Sequence, residues 1–373
     1  MLRVRFSSPA TIRVPLRAVR HGLPILFGAL VVACSPSQTR EVRTEVRDPV
    51  FDALSREIGD GAYGEVKAVI AAQAGRVLFE EYYGGNDAET RVDVRSVGKS
   101  ITALAVGAAI DDGHLDGVEV RVWDYLTEGT PVPNDHPLKR SIDIGDLLSM
   151  SSPLECNDWV SSSAGNEERM YATDDWTDFA LGLPVDPAYR EVAEGQGRFS
   201  YCTAGAFLLG RVVERAVGVP FDIYVEERIF APLGIEGVQW RRSPAGEAQS
   251  GGQLRMRARD LLALGQMIFS PESHTVSTDW LRLMLTPKVG ATPEMNYGFL
   301  WWSRFFGGPQ SQRHAGVFML GNGGNIMLLL PDVEAVVVVQ ATNYNHPDAF
   351  EWTTNMVSQG ILPHLESNVS ERQ

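Results

Sequence analysis

A chain of 373 residues, with 44% hydrophobic and 21% charged side chains, is ordinary for a globular protein and long enough to bury a large core in one big domain or two closely packed ones. Its formal charge of −14 excludes a nucleic-acid binder, which needs basic surface. No collagen-like, repetitive or disordered composition is present.

Residues 1–33 read as a leader. Arg3, Arg5, Arg13, Arg17 and Arg20 stand without an acidic neighbour, and an apolar run from Leu23 to Ala33 follows that is short for a membrane span. The run ends in Val31-Val32-Ala33-Cys34, which resembles a bacterial lipobox, whose cysteine is lipidated and begins the mature chain. Ser35 resembles outer-membrane sorting. The expectation is a signal peptide over 1–33, a lipid on Cys34, a polar tether over 34–49, and a body outside the cytoplasm held to a bacterial membrane.

The folded body is expected over 50–366. Lys67 to Ala72 and Arg76 to Tyr83, joined by Gln73-Ala74-Gly75, carry a hairpin signature. Then comes Asp93-Val94-Arg95-Ser96-Val97-Gly98-Lys99-Ser100, followed by a nearly all-apolar run from Ile101 to Ile110. A helix apolar all round is a buried one, so Ser96 stands where a helix dives into the core. Serine is a favoured N-cap, and on that ground alone the position says little. Lys99 says more. A cation is disfavoured in a first helical turn and is almost never buried without a partner. Residues at i and i+3 share a helix face. Burial and the dipole favour a neutral amine there, which could take the Ser96 proton. A phosphate-loop reading of Gly98-Lys99-Ser100 fails because Asp93 stands where that motif needs glycine.

From Gly113 to about residue 285 the chain reads as helices and loops: Ile142 to Met150, Phe207 to Val217, Phe221 to Ile229 and Arg257 to Ile268. Asp174, Asp175 and Trp176 either line a cleft mouth or start a helix toward Leu181. Strands return at Tyr297 to Phe306, Val317 to Leu320, Ile326 to Leu330 and Ala335 to Gln340, and Phe350 to Ile361 reads as a closing helix. Strands at both ends of the chain around a helical middle predict an α/β (α+β) fold. One mostly antiparallel sheet (about 50–112 and 286–366) is flanked by helices, with an all-helical lobe inserted over about 113–285.

Two further stretches bear on Ser96. Tyr201, before the helix starting at Ala204, could be core packing or could share proton transfer with Lys99. Gly321-Asn322-Gly323-Gly324-Asn325 separates two strands, as a hairpin turn or as an edge where backbone N–H groups approach a substrate oxygen.

Taken together, Ser96-Val97-Gly98-Lys99 and Tyr201-Cys202-Thr203 resemble the first two motifs of the serine β-lactamase and penicillin-binding-protein superfamily, closest to its class C and esterase-like branch. Asp146 to Ser152, Ala231 to Ile235, Gly251 to Leu261 and Tyr297 to Trp302 are similar to that branch too, in the same order, over about residues 55 to 362. The resemblance implies a β-lactamase/transpeptidase-like fold with its site between the lobes. It implies Ser96 as the acylated nucleophile, Lys99 as its proton partner and Tyr201 as the group that activates Ser96 or water and protonates the leaving group. The oxyanion would be held by the Ser96 N–H and one near Gly323 or Gly324, within a substrate-binding set of Thr203, Gly321, Asn322, Gly323 and Gly324.

Two departures matter. Thr203 stands where the family usually has Asn. The strand-end glycines offer no cation where the family's third motif opens with Lys or His and anchors a substrate carboxylate. His314-Ala315-Gly316 is an alternative third motif through His314 and Gly316, but the glycine turn leads straight into the next strand and is preferred. The expected substrate is a small ester or amide, with poor or absent β-lactam hydrolysis. A catalytically inert relative binding cell-wall or peptide ligands is the alternative.

Cys156 and Cys202 form an even pair outside the cytoplasm, so a disulfide is expected, pinning the tyrosine loop. The scattered histidines have no ligand spacing; neither metal nor cofactor is expected, and no nucleic-acid partner.

Overall fold

The computed structural model describes residues 51–370, apart from 128, 194–195, 271–274 and 310. The leader, Cys34 and the tether lie outside the described residues. The first helix, α1 (Asp52–Gly59), precedes a hairpin of β1 (Val66–Gln73) and β2 (Arg76–Tyr82). Ala74 and Gly75 turn that hairpin with φ of 48° and 76°, a left-handed pair that a two-residue turn requires. The short strand β3 (Val92–Asp93) then leads into α2 (Val97–Asp111).

The middle of the chain supplies α3 (Thr203–Val217), two short strands β4 (Gln239–Trp240) and β5 (Leu254–Met256), and the helices α4 (Ala258–Phe269) and α5 (Thr278–Leu285). Strands β6 (Val289–Gly290), β7 (Asn296–Tyr297), β8 (Trp302–Phe306), β9 (His314–Gly321), β10 (Asn325–Leu330) and β11 (Ala335–Ala341) follow, and α6 (Ala349–Asn355) opens the C-terminal helical run.

The main sheet has eight strands in the order β2-β1-β11-β10-β9-β8-β7-β6, each pair antiparallel. Its N- and C-terminal parts meet where β1 pairs β11, with Val69 opposite Val339. Every residue of β10 and β11 is buried, as both faces are covered. Met327 faces Gly265 of α4, whereas Phe318, opposite Leu328, stacks on Phe350 of α6 at 6.1 Å.

The helical middle also carries β4 and β5, which join β3 in a second sheet of order β3-β5-β4. Their pattern is too short to register as a strand period. The predicted single strand from Tyr297 to Phe306 is broken. Gly298 donates its N–H to Trp301 O at 2.8 Å, Leu300 adopts φ 58°, and its N–H donates to Leu148 O at 2.8 Å. This turn binds the middle of the chain to α2, because Ser100 Oγ donates to Leu300 O at 2.6 Å. Helix α2 itself is buried from Val97 to Ala109.

Candidate active site

Ser96 occupies the N-cap position of α2 but makes no capping bond with its side chain. The hydroxyl is therefore left for other partners. Lys99, one turn on and 1% exposed, donates from Nζ to Ser96 Oγ at 3.1 Å and to Gly251 O at 2.6 Å. Gly98 makes the second contact possible. A Cβ there would stand 2.9 Å from Gly252 Cα, so only glycine lets the segment bearing Gly251 lie against the first turn of α2.

Tyr201 completes the group. Its side chain lines the same cavity as Ser96, and its ring centroid is 4.9 Å from Lys99 Nζ. The ring is held in an aromatic stack, 5.7 Å from Trp159 and 5.8 Å from Trp302. Burial raises the Tyr201 phenol above its ordinary value, and the Lys99 charge and the Ser96 hydroxyl only partly offset this. The resting side chain is thus a neutral phenol, suited to giving a proton rather than taking one.

The disulfide expected from the cysteine pair is present between Cys156 and Cys202. Closing a loop across a sequence separation of 46 residues stabilises the fold by about 4 kcal/mol on the chain-entropy account. It brings Asp158 against Tyr201: Asp158 N donates to Tyr201 O at 2.8 Å, and Thr203 N donates to Asp158 Oδ2 at 2.7 Å. One residue so holds both ends of the Tyr201-Cys202-Thr203 segment. Asp158 Oδ1 also accepts from Glu167 N at 2.9 Å. Burial pushes the Asp158 carboxyl up to about 6, against the pull of the Lys99 charge. Sequence reasoning missed Asp158; its one signal was a position two residues from a bridged cysteine.

Ser96, Tyr201 and Gly321 to Gly324 line one cavity of about 590 Å³. Gly321 approaches the nucleophile segment so closely that a Cβ would fall 2.0 Å from Val94 O. The turn beyond it is fixed by Asn325, whose Nδ2 donates to Asn322 O and Ala341 O, both at 2.9 Å, and Asn322 Oδ1 accepts from Asn345 N at 2.7 Å. Asp158, Glu167 and Glu168 also line the cavity, with Trp159 57% exposed at its mouth. Among the described lining residues there is no Lys or Arg.

One expectation is corrected and two open alternatives are decided. Thr203 does not face the cavity: it is wholly buried, its N–H is taken by Asp158, and its methyl packs against Gly251. His314 and Gly316 are not the third motif. His314 is at the far end of β9 from Gly321, about 23 Å along an extended strand, and its Nε2 lies 2.8 Å from Glu366 Oε1. Asp174, Asp175 and Trp176 do not line the cavity; Asp175 caps the helix Trp176–Leu181, and Trp176 is 1% exposed. Among the described residues, no group of three or more His, Cys, Asp and Glu could hold a metal ion.

The Beta-lactamase family model matches residues 52–360. A 6-aminohexanoate-dimer hydrolase of Paenarthrobacter ureafaciens is 24% identical over 315 residues, 79% of this chain and 76% of the relative. Two solved structures share the fold. EstCE1, described as a hydrolase with promiscuous acyltransferase activity, has a TM-score of 0.66 at 17% identity, covering 83% of this chain and 97% of its own. A D-stereospecific amidohydrolase from a Streptomyces species has a TM-score of 0.62 at 16% identity, covering 82% and 97%.

Proposed function

The chain belongs to the Beta-lactamase family, and from that premise we propose that it is a serine hydrolase cleaving an ester or amide through an acyl-enzyme on Ser96. The observation that carries this reading is the 3.1 Å contact of Ser96 Oγ with Lys99 Nζ, with the Tyr201 ring 4.9 Å from the same amine. In the first step the Ser96 oxygen bonds to the substrate carbonyl carbon as its proton passes to Lys99 Nζ, which acts as the base. The oxyanion is held by the Ser96 N–H and an N–H of the Gly321–Gly324 segment. As the bond to the leaving group breaks, neutral Tyr201 gives that group its proton and is reprotonated from Lys99. Water then attacks the acyl group by the reverse route and frees Ser96.

The charge of the cavity sets the substrate. Asp158, Glu167 and Glu168 with no Lys or Arg repel an anionic ligand, and a β-lactam carries a carboxylate. Neutral short-chain esters should exceed an anionic chromogenic cephalosporin in kcat/KM by about 100-fold, the size of a lost charged anchor. A panel of p-nitrophenyl esters, D-amino-acid amides and that cephalosporin tests this; efficient cephalosporin turnover overturns it. Binding of cell-wall peptide without turnover of any panel member would mark an inert relative instead. We place the body outside the cytoplasm, anchored through Cys34, with the lipobox-like leader and the Cys156–Cys202 bridge as support.

A further inference from the structure

A second cavity, of about 340 Å³, shares no lining residue with the catalytic one. Lys67, Arg91, Arg95 and Arg255 line it, with Asp93 the one carboxylate among its described lining residues. In a chain of formal charge −14, four cations thus line one small cavity. Lys67 is neutralised by Glu65 at 2.7 Å and Arg95 by Asp93 at 3.3 Å. Arg91 and Arg255 have no carboxylate partner among the described residues. They donate instead to Glu236 O at 3.0 Å and Arg91 O at 2.8 Å, and the Arg91 Nε–H is buried with no acceptor. A buried Arg91 Nε–H without an acceptor is costly, and beside the uncompensated charge of the exposed Arg255 guanidinium a bidentate oxyanion is the ligand that fits both groups.

The cavity adjoins the catalytic machinery through the backbone. Asp93 of β3 pairs with Arg255 of β5. Ser96 follows β3 directly, and Gly251, whose carbonyl holds Lys99, precedes β5. Arg95 has a left-handed φ of 54° and lies 4.2 Å over the Tyr344 ring. Tyr344 Oη donates to Asp93 O at 2.7 Å, and its ring packs against Gly323, where a Cβ would stand 2.7 Å from Cδ1. A ligand bridging Arg91, Arg95 and Arg255 therefore ties together the strands that carry the nucleophile and its lysine's acceptor, beside the glycine turn.

We propose that this cavity is a binding site for a small multivalent oxyanion of the phosphoryl class, and that filling it stiffens the β3–β5 pair behind Ser96. Isothermal titration of the folded protein with pyrophosphate, against sodium chloride at matched ionic strength, tests it. The expected result is saturable one-to-one binding that weakens at least tenfold, on the order of one lost charge-assisted pair, in the Arg91→Gln/Arg255→Gln variant. Thermal unfolding should rise with pyrophosphate in the parent and not in the variant. If the double variant fails to fold, Arg255→Gln, at an exposed position, supplies the same comparison. Absence of saturable binding, or equal affinity in parent and variant, overturns the proposal.

Discussion

Replacing Lys99 by Met is expected to lower kcat/KM on an ester by about a thousand- to ten-thousand-fold while the protein still folds. The side chain is 1% exposed and makes two polar contacts, to Gly251 O and to Ser96 Oγ. Methionine fills the same volume and removes a buried charge, a change that is often neutral for stability. One carbonyl loses a donor, which limits the cost to about 1–3 kcal/mol. Lys139 supplies the control within the same chain. It is also fully buried, but its Nζ donates to three carbonyls, of Pro133, Leu181 and Leu183, and to no nucleophile. Lys139→Met orphans all three acceptors and should cost several kcal/mol in a denaturant titration. Ester hydrolysis by whatever remains folded should be normal. Activity within tenfold of the parent in Lys99→Met would remove the lysine from the chemistry.

Asp158→Asn is expected to move stability and activity in opposite directions. Burial pushes the carboxyl up to about 6 in the folded chain, from the 3.8 of a free aspartate side chain. Between those values the folded state holds a proton that the unfolded state has released. Stability contributed by this group therefore falls as pH rises through that window. Above it, the ionised carboxylate costs up to about 3 kcal/mol. Asparagine removes that cost but offers one oxygen in place of the two that accept from Thr203 N and Glu167 N. The net gain should be about 1–2 kcal/mol at pH 8 and should vanish below pH 4. Activity should fall about tenfold to a hundredfold, since the Tyr201 segment loses one of its two ties and Lys99 loses a facing charge. The acid limb of kcat/KM near pH 6 should disappear with it. A variant with the parent's pH profile would show that Asp158 only packs the loop.

The parts of the site legible in the sequence were those on regular elements. Ser96 and Lys99 share a face because three residues are nearly one helical turn, and the apolar run after them announces burial. The glycine turn at Gly321 to Gly324 was visible because two continuous apolar stretches bracket it. Asp158, Glu167 and Glu168 carry no such period. They lie in a loop and the short helix after it, placed by the Cys156–Cys202 bridge and by backbone bonds to Tyr201 and Thr203. Thr203 was assigned to the substrate because of its place in a motif. Its neighbour across the bridge, Asp158, in fact faces the cavity in its stead. The same limit explains the strand broken between Tyr297 and Trp302, where bonds to Leu148 and Ser100, distant in the chain, decide the conformation.

The most direct test is peptide mapping by mass spectrometry after the purified protein meets a fluorophosphonate. A single adduct on the Ser96 peptide is predicted, absent in Ser96→Ala and formed far more slowly in Lys99→Met. An adduct on another serine, or none on the folded parent, would contradict the account.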